Sequence, residues 1–209
     1  MGAPGLTTGL RAETFDNLQL NAGVLLKDFD YDTPTDAAAL KTAIAAAITS
    51  GDILGATRGG GEFHVTRETR DPEIDGKRYG YKGGLFVDSA DAYLNATLVE
   101  VTPENVKVLL ATGEATTSGK KTVVKMHTAI EDGDYLENLC WAGDLADGRL
   151  VLIVLKNAMN TADFTLTFQD KNEGTLAAEF HAHQDSFDDY DYAPFEVIFF
   201  DKATTTTGG

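Results

Sequence analysis

The sequence predicts a mainly β fold, a β-sandwich with one or two flanking α-helices. Three observations lead there. From Thr161 to Gln169 the chain alternates, with Phe164, Leu166 and Phe168 on one face and Asp163, Thr165, Thr167 and Gln169 on the other. After the turn signal Asp170-Lys171-Asn172-Glu173-Gly174, a partner strand sets Leu176, Ala178 and Phe180 inward and Thr175, Glu179, His181 and His183 outward. Leu150 to Leu155 is apolar throughout, which requires both of its faces to be buried. A strand with two dry faces beside a hairpin with one dry face describes two packed layers.

The remaining elements follow in chain order. Leu18 to Leu26 reads as a first strand. Thr33-Pro34-Thr35-Asp36 then opens an Ala-rich helix over 36–50, with Leu40, Ile44, Ala47 and Ile48 at helical spacing and Gly51 placed to end it. Three glycines, Gly59 to Gly61, mark a bend or bulge before a strand from Glu62 to Glu68 whose even positions are polar. Thr102 caps a second helix over 103–111, with Pro103 first, Glu104 at the positive end, and Val106, Leu109 and Leu110 toward the core. The Gly/Thr/Ala-rich residues 1–14 read as a mobile arm and 202–209 as a mobile tail, leaving 15–201 as one domain without internal repeat or linker.

Composition excludes several classes of function. Across 209 residues, 17 Lys and Arg face 33 Asp and Glu, a net charge of -16. Such a surface repels nucleic-acid phosphates and stays soluble at high concentration. The single cysteine, Cys140, allows neither an intramolecular disulfide nor a thiolate cluster. The N-terminus lacks the pattern of a signal peptide, and no apolar run approaches a membrane span, so a soluble, cytoplasmically made product is expected.

Motifs that could carry chemistry are weak. His181-Ala182-His183-Gln184-Asp185 overlaps the H-x-H-x-D-H metal signature of metallo-β-lactamase-like hydrolases, but Ser186 stands where the last His belongs. Outward strand histidines are the simpler reading, with His64 and His127 as the only others. Asp185, Asp188, Asp189 and Asp191 lack the central Gly and closing Glu of a calcium loop. Gly113 to Lys120 has the wrong length and setting for a phosphate-binding loop, and Cys140 beside Trp141 has no adjacent base. The expectation is therefore no catalytic, metal or cofactor site. The wet faces supply acidic candidates instead: Glu62 and Glu68 from one strand, Asp163, Glu173 and Glu179 from the hairpin.

Six short stretches, in order, resemble the major tail tube proteins of long-tailed, siphovirus-like bacteriophages. They are Phe15 to Leu26, Ile53 to Phe63, Leu139 to Asp144, Asn157 to Asn160, Phe180 to His183 and Ala193 to Val197. The Ala-rich helix 36–50 looks like an insertion relative to that family. The resemblance implies a tail-tube type sandwich assembling as hexameric rings, one sheet of each subunit joining a continuous inner β-barrel. It implies a virion protein made in the host bacterial cytoplasm. Its partners would be further copies of itself, the tape measure protein, and the tail terminator and distal tail proteins. Double-stranded DNA would pass through without tight binding. On this reading the five acidic candidates face the lumen, where they repel phosphate. Three alternatives stand beside it. One is the inner tube of a contractile injection system. Another is a soluble β-sandwich binding module using Tyr79, Tyr81, Tyr190 and Tyr192. Last comes a hydrolase built on His181, His183 and Asp185.

Overall fold

The computed structural model describes residues 9–19, 21–186 and 192–202. Most of the predicted arm and tail lies outside these residues, as do Tyr190 and Asp188, Asp189 and Asp191 of the acidic loop. Among the described residues, ten strands and two α-helices follow in the order β1 (Val24–Lys27), α1 (Ala37–Ser50), β2 (Thr57–Arg70), β3 (Phe86–Leu98), α2 (Pro103–Leu109), β4 (Gly113–Ser118), β5 (Lys121–Met126), β6 (Leu136–Asp144), β7 (Leu150–Asn160), β8 (Leu166–Gln169), β9 (Asn172–His181) and β10 (Phe195–Phe200). Every strand pair is antiparallel. The mainly β class with two helices is as the sequence predicts.

Two sheets pack face to face. The first runs β1-β6-β7-β10 and the second β2-β3-β9-β8. They join where the end of β7 crosses to pair with β9 at Met159–His181 and Asn160–Phe180. Leu25, Leu139 and Leu155 from the first sheet meet Leu94, Leu98, Leu176 and Phe180 from the second in one core. The other face of the first sheet carries Leu26, Cys140, Leu152 and Val154, and α1 covers it with Ala37, Leu40 and Ala47 in a second core. This explains the uniformly apolar Leu150–Leu155, which serves a core on each side.

Helix boundaries follow their caps. Asp36 accepts from the backbone N–H groups of Ala38 and Ala39, and Gly51 closes α1 in the left-handed region at φ 90°. Thr102 caps α2 through the Asn105 N–H. Two expectations need correction here. Helix α2 ends at Leu109, and the side chain it sinks beside Leu109 is Asn105, with Val106 and Leu110 only half-buried. Asn105 Nδ2 donates to the carbonyls of Leu54 (3.0 Å) and Glu100 (2.9 Å), so a polar residue ties two loops inside the core.

Strand limits differ as well. The first strand starts only at Val24; residues 12–17 form turns, and Gln19 makes an isolated bridge to Leu145. The predicted strand 161–169 is reduced to Leu166–Gln169, and its supposed dry face is exposed, with Phe168 83% accessible. The turn is tighter than its residues imply, because Lys171 takes φ 62° and β9 begins at Asn172. The partner's dry face is as expected, with Leu176, Ala178 and Phe180 buried. Gly59 and Gly60, at φ 77° and 78°, shape the predicted bulge, where the pairing slips between Thr57 and Gly61.

Cys140 lies wholly buried between the first sheet and α1, its Sγ 3.2 Å from Asn138 Oδ1. Burial pushes its thiol up to about 12, with Asp28 adding to the rise. The native protein is expected to leave an aromatic disulfide reagent unreacted at pH 8 and to react fully in denaturant. Rapid native labelling would contradict this packing.

Candidate functional site

The second sheet has one face against the core and one uncovered. Along β3 the alternation Ala92, Leu94, Ala96, Leu98 faces inward, leaving Asp91, Tyr93, Asn95 and Thr97 on the outer face. Register then builds cross-strand rows. Glu62 of β2, Asn95 of β3 and Glu179 of β9 form one row, and His64, Tyr93 and His181 form the next. Further along, Thr66 pairs with Asp91 and Glu68 with Ser89.

These rows are bonded internally. The ring of Tyr93 stacks between two imidazoles, 4.7 Å from His64 at 14° and 4.8 Å from His181 at 17°. His64 Nε2 lies 3.1 Å from Glu62 Oε2 and 3.4 Å from Asn95 Nδ2. The Glu62 N–H donates to Asn95 Oδ1 at 3.1 Å. His181 Nδ1 lies 2.8 Å from Asp91 Oδ2, and its Nε2 3.3 Å from Glu179 Oε1. Glu173, at the start of β9, pairs with Arg58.

The five predicted acidic residues divide accordingly. Glu62, Glu68 and Glu179 share the uncovered face, all three on rows set by β3. Glu173 is exposed but occupied by Arg58. Asp163 is exposed in the irregular run between β7 and β8 rather than on a strand, so the wet face of that hairpin is narrower than expected. Asp91, Tyr93 and Asn95 are not among the predicted residues, although the period-two pattern of residues 89–98 carries their signal.

The carboxyl of Glu173 is held below its usual range, first by a backbone N–H and then by the Arg58 guanidinium. A lowered folded-state value means that the link stabilises the protein above the unfolded titration and is lost as pH falls through the folded one. Arg58→Gln is therefore expected to lower the thermal midpoint slightly at neutral pH and by nothing at about pH 2. A deficit that persists at the acid end would contradict the assignment.

The other chemical leads resolve differently. His181 sits at the end of β9, but His183 lies beyond the strand, so the expectation of two outward strand histidines is corrected. Its Nδ1 faces the Asn157 carbonyl at 3.0 Å, away from His181's partners. Among the described residues, no group of three His, Cys, Asp or Glu side chains could hold a metal ion. The Gly113–Lys120 segment forms a β-hairpin arm rather than a loop entering a helix. Among the described residues, no helix is long and apolar enough to cross a membrane. Compared with models of known protein families the chain matches none, and no curated protein matches it.

Proposed function

We propose that the chain is the structural subunit of a bacteriophage tail tube, forming hexameric rings that stack into a hollow conduit with the outer face of the second sheet toward the lumen. The observation that carries this reading is the combination of that acidic face with open edges. Glu62, Glu68, Asp91 and Glu179 project from a sheet whose outermost strands, β2 and β8, have no further strand beside them among the described residues. A 14-residue edge strand is an assembly hazard in a monomer and a joint in a ring. Closing six such sheets into a barrel removes the edges and turns the acidic face inward, where it repels the phosphates of passing DNA.

Two further observations support it. The β2–β3 hairpin continues well past the core, and Ile74, Tyr79, Tyr81, Leu85, Phe86 and Val87 on its outer part are each more than half exposed. At the far edge, Phe168 is likewise uncovered. Apolar groups placed so belong against a neighbour. The tape measure protein inside the tube, the tail terminator and distal tail proteins at its ends, and a place in the virion all follow from the same reading. The test is negative-stain electron microscopy of concentrated protein. Sixfold rings or hollow tubes are expected. Binding of a soluble glycan by a protein that stays monomeric at every concentration would overturn the proposal.

A further inference from the structure

His64 and His181 stand in the acidic face with carboxylates for neighbours, and the surroundings of each decide what a proton does there. His181 has Asp91 on Nδ1 and Glu179 on Nε2. A carboxylate only accepts and a neutral imidazole donates from one nitrogen, so only the imidazolium satisfies both contacts. His64 Nε2 has two partners of opposite kind. Glu62 accepts its proton at 3.1 Å, whereas the Asn95 amide, at 3.4 Å, donates to its lone pair. Tyr93 lies between the two rings, each within stacking distance, and its π face favours a cation on either side.

We propose that His64, Tyr93 and His181 form a proton-operated switch on this face. Protonated, His181 clamps β9 to β3 through Asp91, and His64 turns its Nε2 proton to Glu62. Two positive charges then offset three carboxylates, Glu62, Asp91 and Glu179. Deprotonated, His64 accepts from Asn95, His181 loses one partner, and the same three carboxylates face one another uncompensated. The other charged groups on these strands are engaged or remote. Arg70 pairs with Asp88 and Arg58 with Glu173, Arg67 has the opposite parity to His64 on β2, and Glu68 lies two rows beyond His64 along the same strand. Among the described residues, the end of β7 brings the uncharged Met159 beside His181 and Asn160 beside Phe180, and His183 is turned to Asn157.

The consequence for assembly rests on the tube reading. Six copies of this face brought together repel less when the histidines are protonated, so acidification strengthens ring closure. Each proton taken up per subunit changes the association constant by up to about tenfold per pH unit.

Two measurements on the full chain test the switch and separate it from that reading. The first follows the histidine ring signals by NMR in dilute ¹⁵N-labelled protein. In Asp91→Asn the ring signals of His181 are expected to be displaced at about pH 5.5, because its Nδ1 loses a carboxylate partner, while those of His183 stay put. An unmoved His181 overturns the switch. The second is sedimentation of parent and the His64→Gln/His181→Gln double variant between about pH 8 and about pH 5.5. The parent's association should strengthen at least about tenfold on acidification and the variant's by less than about twofold. Equal slopes overturn the switch. Should neither protein associate at any pH while the Asp91→Asn displacement is found, the tube reading falls and the switch stands.

Discussion

A chain in which residues 68–89 are replaced by Asn-Gly is expected to fold normally and, on the tube proposal, to lose the proposed assembly altogether. Arg67 and Ala90 are register partners in the β2–β3 ladder, so a two-residue turn can join them without disturbing the pairs below. No removed residue is buried, and none belongs to either core. The segment's ion pairs, Arg70–Asp88 and Lys77–Asp71, are internal to it. What goes is an apolar surface with four basic and five acidic side chains, close to neutral on a chain of net charge -16. Such a near-neutral surface meets another copy with little repulsion. The thermal midpoint should change by no more than about 3 °C. On the tube proposal, sedimentation and electron microscopy should show monomers at concentrations where the parent is expected to form rings. Rings of parental size from the shortened chain would remove the hairpin from the contact and weaken the tube proposal.

The layers of the fold were legible wherever a periodic pattern met a burial demand. Leu150–Leu155 carried both cores in its own composition, and Asp36 with Gly51 bracketed α1 almost to the residue. Residues 161–169 misled because alternation reports a capacity for strand. Here it leaves Phe168 largely uncovered on an edge, and Phe164 and Leu166 each more than a third exposed. The acidic face was half legible. Glu62, Glu68 and Glu179 follow from parity on their own strands, but the link through Asp91, Tyr93 and Asn95 depends on the β2–β3–β9 register. No single strand's pattern contains a register. The buried asparagines were not legible at all. Their partners are carbonyls and N–H groups of distant segments, and a polar letter in an apolar run carries no mark of such a partner.

Asn160 has the largest stake of these in the fold, and Asn160→Leu is expected to destabilise the protein by about 3–5 kcal/mol. The residue stands where β7 leaves the first sheet and pairs with Phe180 of the second. Its Nδ2 donates to the carbonyls of Leu109 at the end of α2 (2.8 Å) and Ala162 (3.1 Å), and its Oδ1 accepts from the Glu179 N–H at 2.8 Å. Leucine matches its volume closely and adds apolar contact, so packing loss contributes little. The cost comes from backbone groups left without partners in a site only 3% exposed, at about 1–3 kcal/mol for each buried one. Urea denaturation measures this directly, with the exposed Asn172→Leu as a control expected to stay within about 0.5 kcal/mol. The position also sets the form of the transition. Asn160 fastens β9 and α2 to the strand shared by both sheets, so its loss weakens the second sheet's attachment more than the first sheet's own core. Tryptophan emission from Trp141, on β6 of the first sheet, should then report a later midpoint than far-ultraviolet circular dichroism. Coincident midpoints with a loss under about 1 kcal/mol would mean that the two sheets are held by apolar burial alone and that the asparagine is incidental.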